Sequence, residues 1–136
     1  MNLTARQWRN MWIAAAVFNF IIAVPLIFAT TWTYEIAYGI SQSDIDAMAL
    51  RLWRDFGIFV LLIGVGYYLV AIDVTKNRAL ALLGVFAKLF DVVTLTYRYF
   101  IGIAQSIVLV PAAIDGIFML LFIWFLFKTS KSSTAG

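Results

Sequence analysis

GVFAKLFDVVTLTY, residues 84–97, is apolar at nearly every position, yet Lys88 and Asp91 sit in its middle, one helical turn apart. A third charge, Asp115, lies inside a second greasy run, LVPAAIDGIFMLLF, residues 109–122. Charge is most costly in such surroundings, so these three residues are the natural place to look for function.

The whole chain has the same character. It has 136 residues, of which 64% are hydrophobic and 12% charged, where a soluble domain carries about 25% charged residues. A water-soluble globule of this length cannot bury so much apolar surface. The class that follows is an integral membrane protein. Cysteine is absent, which excludes a disulfide framework, a thiolate nucleophile and a cysteine metal site. Histidine is absent too, which removes the usual ligand of a membrane b-type haem and the commonest general base. No cofactor is expected on these grounds. The net charge of +3 reflects topology, and nucleic acid is not an expected partner.

A spanning helix needs about 20 mostly apolar residues. Four runs qualify, at about 11–30, 44–74, 79–97 and 105–127. None alternates as barrel strands do, so each reads as a helix. The expected fold is all-α, a single transmembrane domain over 1–136 built as an antiparallel four-helix bundle. The small polar tail, 129–136, is expected to be disordered. Arg6, Arg9, Lys76, Arg78, Lys128 and Lys131 fall on one side of these spans. Arg51, Arg54 and Arg98 fall on the other, beside Glu35, Asp44, Asp46 and Asp55. The bias places both termini in the cytoplasm. Trp8, Trp12 and Trp124 are expected to belt the inner edge, and Trp32, Tyr34, Tyr97 and Tyr99 the outer. The first run exceeds a signal-peptide core and no clear cleavage site follows it, so it is expected to be retained as the first helix.

Ser43-Asp44-Ile45-Asp46 resembles a capping box and predicts that the second helix starts near Asp44. The four-residue link Thr75–Arg78 predicts a tight helical hairpin. Gly57, Gly64, Gly66, Ala81 and Gly84 allow close helix approach, within one bundle or across a homodimer face.

At 1.5 Å per residue, Lys88 lies about 15 Å into its helix, and Asp91 and Asp115 about 20 Å. All three sit near the middle of a hydrocarbon layer about 30 Å thick. Gly84, Lys88, Asp91, Leu95 and Arg98 share one helical stripe, and Pro111, Asp115, Met119 and Phe122 share another. Lys88 is therefore expected to pair with Asp91, Asp115 or both. Asn19 and Tyr67 or Tyr68 are candidate hydrogen-bond partners. One base against two acids leaves a carboxyl in excess, and Asp115 is the candidate to hold a proton. Pro111 leaves the carbonyl of Ile107 without its helical partner, and a kink there is expected to open a polar pocket beside Asp115. The cluster has four readings: a structural network, a site for a small amphipathic or lipid-like ligand, a proton-coupled transport site, or a centre of chemistry.

FNFIIAVPL in the first helix and GVGYYLVAIDVTKNRALALLGVFAKLFD across the second and third resemble small bacterial four-helix membrane proteins of the DoxX-like kind. The likeness lies in Tyr67 and Tyr68, the Asn77-Arg78 link, Leu83-Gly84, Lys88 and Asp115. It implies a multi-pass protein of a bacterial inner membrane. Some proteins of that kind are named as membrane subunits of a thiosulfate:quinone oxidoreductase, which implies a quinone-linked subunit as one alternative. The function expected from residues and resemblance together is non-enzymatic. The Lys/Asp cluster would bind an amphipathic ligand, a lipid or a membrane partner subunit. A small proton-coupled transporter using Asp115 is the other alternative.

Overall fold

A computed structural model describes residues 4–130. It is helical throughout, with no strand among the described residues. Five helices follow in order: α1 (Ala5–Phe28), α2 (Thr30–Tyr38), α3 (Ala47–Ile72), α4 (Arg78–Phe100) and α5 (Leu109–Ser130). Four of them, α1, α3, α4 and α5 with the turn before it, are long and apolar enough to cross a membrane.

The ends of these helices correct the sequence reading in several places. α1 starts at Ala5, not near residue 11, because Thr4 and Gln7 form a reciprocal capping box. It stops at Phe28, soon after Pro25, whose missing N–H weakens the last turns. After the break at Ala29 the chain forms α2, a helix that the sequence reading missed. The hydroxyl of Thr30 spans the break, donating to the carbonyls of Leu26 (2.9 Å) and Ile27 (3.0 Å). α2 ends at Gly39, whose φ of 69° suits glycine.

α3 is capped by Asp46, not by Ser43. The Asp46 carboxylate accepts from the backbone N–H groups of Met48 (2.8 Å) and Ala49 (3.1 Å). Ser43 and Asp44 lie in a separate 3-10 turn. Likewise α5 begins at Leu109, so Pro111 falls in its first turn. An N–H there has no partner within the helix in any case. The expected mid-helix kink at Pro111 is therefore absent. Of the tail expected to be disordered, residues 129 and 130 belong to α5 and 131–136 lie outside the described residues.

α1 packs most extensively on α3, and α4 on α5. A Cβ on Gly57 would lie 2.7 Å from Cβ of Leu26, and one on Gly64 would lie 2.8 Å from the Phe20 ring. Only glycine lets α1 and α3 come this close. Arg78, at the start of α4, donates to the carbonyl of Leu126 (3.0 Å) and to the hydroxyl of Thr129 on α5.

Apolar packing falls into two layers. One centres on Trp12, which stacks on Phe122 with ring centroids 4.0 Å apart and also meets Tyr67 and Phe125. Trp8 joins it against Trp124 and Phe125. Trp8 and Trp12 are thus core residues rather than the interfacial belt expected of them. The other layer gathers Ala37, Ala104 and Val108 with Tyr38, Trp53, Leu95 and Tyr99. Trp53 donates to the Thr33 hydroxyl (3.0 Å), and Gln105 N–H to the Ala37 carbonyl (2.8 Å). Arg98 donates to the Tyr38 hydroxyl. These bonds fasten α2 across the ends of α3 and α4.

Gly64→Leu should lower stability by about 1–3 kcal/mol through overpacking, because Phe20 and Cβ of Asn19 occupy the space. Gly66→Leu should be tolerated, since no atom lies within 4 Å of a Cβ there. Thermal unfolding of the two variants in one detergent checks this. A second expectation concerns the α3–α4 turn. The Asp73 carboxylate accepts from the Thr75 hydroxyl (2.7 Å) and from the N–H groups of Lys76 and Thr75, both at 3.1 Å. These bonds, the Thr75 hydroxyl foremost, lower its pKa to about 2 from the ordinary 3.8. The depressed value means that the folded turn binds fewer protons than the unfolded chain between those two values. Its contribution to stability is complete above pH ~4 and is lost as pH falls through ~2. A fall in amide-exchange protection, relative to the intrinsic rate at each pH, at Thr75 and Lys76 over that window is the readout.

Candidate functional site

Lys88 lies between the two apolar layers and is only 2% exposed. Its ammonium donates to a carboxylate oxygen of Asp115 on α5 and to the side-chain oxygen of Asn19 on α1, the latter at 2.7 Å. Asn19 turns its other end to α3, where its amide donates to the Val60 carbonyl at 3.0 Å. One polar network therefore ties together all four long helices. Asn19 can serve in it because its amide carries both an acceptor and donors.

Aromatic rings enclose the ammonium. Phe18, Tyr67 and Phe118 have ring centroids 5.3, 5.5 and 5.9 Å from Nζ. Their faces favour a cation, and more so where water is excluded. Tyr67 presents its ring to the ammonium, and its hydroxyl donates to the Gly84 carbonyl at 3.4 Å. Phe18 and Phe118 were not among the residues expected at the site. Phe18 adjoins Asn19, and Phe118 lies one helical turn beyond Asp115, so their positions carried a signal that apolar composition masked.

Of the residues expected at the site, Lys88, Asp115, Asn19 and Tyr67 are brought together. Tyr68 is not: it points away from the core and is 52% exposed. The expectation that Lys88 pairs with Asp91, Asp115 or both resolves to Asp115. Among the described residues, Asp91 makes no ion pair within 4.0 Å. The reason is directional. The Lys88 side chain crosses to α1 and α5, while Asp91, one turn on, opens onto the space beside α2 and α3.

That space is a cavity of about 340 Å³. Asn19, Lys88, Asp91 and Asp115 are its charged and amide groups. Phe18, Pro25 and Leu26 line it from α1, Trp32, Ile36 and Ala37 from α2, and Trp53, Phe56 and Val60 from α3. Pro111 lies on its wall as well, next to Asp115 as expected, although without a kink. A second hollow of about 400 Å³ lies beside it, lined by Trp53, Phe56, Phe90, Asp91, Leu95 and Arg98 among others. Asp91, Trp53, Phe56 and Leu95 are shared by both. No group of three potential metal-ligating side chains occurs among the described residues.

Removing one partner of a buried ion pair costs about 3–5 kcal/mol, whereas replacing both by apolar residues is often neutral. Lys88→Met should therefore lower the unfolding temperature sharply, by stranding Asp115 and Asn19. The double variant Lys88→Met/Asp115→Leu should recover most of that loss. A thermal-melt double-mutant cycle in detergent makes the comparison.

No family model, curated protein or solved structure matches the chain.

Proposed function

We propose that the protein binds a small amphipathic or lipid-like molecule in the 340 Å³ cavity, without catalytic chemistry of its own. In this reading it is a multi-pass protein of a bacterial inner membrane, as its resemblance to DoxX-like proteins implies. The four long helices run antiparallel. The order of contacts supports that arrangement: Leu26 meets Gly57 and Phe20 meets Gly64, while Trp12 meets Tyr67. On the other pair, Arg78 meets Leu126 and Lys88 meets Asp115. Both termini are assigned to the cytoplasm, on the lysine and arginine bias of the loops.

The observation that carries the reading is the cavity itself. Ligand sites are typically apolar hollows of about 300–1,000 Å³ with a few converging polar groups. This one has apolar walls, and the two charged residues buried among the described residues, Lys88 and Asp115, both line it. Asp115 is occupied by Lys88, which supports a fixed, positioning role for that carboxylate over the role of a proton carrier.

Fluorescence quenching by 8-bromooctanol tests the proposal, since Trp32 and Trp53 line the cavity. Quenching should saturate in the purified protein. Leu95→Phe adds bulk to a wall of the cavity and should weaken binding at least fivefold. Linear quenching, equal in both proteins, would mean simple partition into detergent and would refute the reading.

A further inference from the structure

Lys88 is spent inside the bundle. Its ammonium is held by Asp115 and Asn19 and ringed by three aromatic side chains. Two of its three N–H donors are engaged, and with 2% of the residue exposed its charge is already matched by Asp115. Asp91 is in the opposite position. It lines both the cavity and the adjoining hollow, and no ion pair within 4.0 Å engages it among the described residues. The nearest further cation on its own stripe, Arg98, lies two turns along α4 and donates to the Tyr38 hydroxyl. The ionisable groups on the cavity itself are thus one base, Lys88, and two acids, Asp91 and Asp115, while Arg98 lines only the adjoining hollow.

A carboxyl in an apolar hollow with no counter-ion is favoured in its ionised form by a cation that binds beside it. The walls suit the same ligand. Trp53 and Phe56 stack with centroids 5.6 Å apart, and both line the two hollows that Asp91 joins. Indole and phenyl faces attract an ammonium group most strongly where water is excluded. Apolar residues over the rest of the lining would take up a hydrocarbon body.

We infer that the cavity selects a lipophilic cation, an ammonium-type head on an apolar body, with Asp91 as its counter-ion. This inference rests on the cavity-binding reading above and names the class of ligand. An anionic or neutral amphiphile of the same length would bind more weakly: the anion is repelled by Asp91, and the neutral molecule leaves it unpaired.

Displacement of 8-bromooctanol from the purified full chain separates the possibilities, using octyltrimethylammonium, octanol and octanoate as competitors. The cation should displace the quencher at a concentration at least tenfold below that of octanol, with octanoate the weakest. Asp91→Asn should bring the cation to the level of octanol. Asp91→Glu should retain the cation's advantage. Should Asp91→Asn not purify in folded form, Leu95→Lys places a competing ammonium one turn away and should abolish the advantage in the same way. A cation no better than octanol in the wild type, or one that keeps its advantage in Asp91→Asn, overturns the inference while the cavity reading stands. Failure of octanol itself to displace the quencher removes the cavity reading, and this inference with it.

Discussion

A lysine ammonium at the centre of an apolar bundle must find its counter-ion and its hydrogen bonds inside the protein, because neither water nor lipid supplies them there. Lys88 finds them on two other helices, Asp115 on α5 and Asn19 on α1. Asn19 passes the constraint on to α3 through the Val60 carbonyl. The four long helices consequently meet at one level and in one register. Sliding α1, α4 or α5 by a turn would leave a buried charge or amide without a partner, while α3, which offers only a backbone carbonyl, is held by the close approach at Gly57 and Gly64. The apolar contacts above and below are far less selective, since leucine, isoleucine and phenylalanine side chains can be repacked in many ways.

The cavity is a consequence of how the chain closes on one side of that polar level. Towards Trp12, large aromatic rings fill the interior: Trp12, Tyr67, Phe122 and Phe125 are packed against one another. Towards Trp53 the bundle is completed differently. α1 stops after Pro25, and the short α2 lies across the opening, tied down by Thr33, Ala37 and Tyr38 to α3, the α4–α5 link and α4. The side chains that α2 contributes, Trp32, Thr33, Ile36 and Ala37, form a wall and not a plug. Glycine acts in the opposite sense within α3, where Gly57 and Gly64 draw α1 into near backbone contact. Tight packing between α1 and α3 and a hollow beside α4 and α5 coexist in one small protein.

Two acids of similar depth have been given different surroundings. Asp115 faces the interior, is 4% exposed and is neutralised by Lys88. Asp91 sits on the same helix as Lys88 yet is not its partner, because a lysine side chain leaving the helix toward α1 and α5 does not turn back along its own axis. The result is a fixed pair on the cavity's inner side and a free carboxylate at its junction with a second hollow.

Composition and the lengths of the apolar runs were enough to identify four helices able to cross a membrane, since a backbone in lipid has few ways to satisfy its hydrogen bonds. The stripe of Lys88 and Asp91 on one helix face, and the shared depth of Asp115 and Asn19, were also legible, because helical geometry converts spacing directly into position. Local signals misled where two caps competed. Ser43 and Asp46 both offer a capping side chain, and the chain uses Asp46, leaving Ser43 in a separate 3-10 turn. Pro111 carried the same ambiguity, as a proline kinks a helix interior but suits a first turn. The choice among Lys88's partners, the separate α2 and the shape of the cavity beyond Asp115 were decided by tertiary structure. Each depends on which faces of different helices meet, and no single helix carries that information.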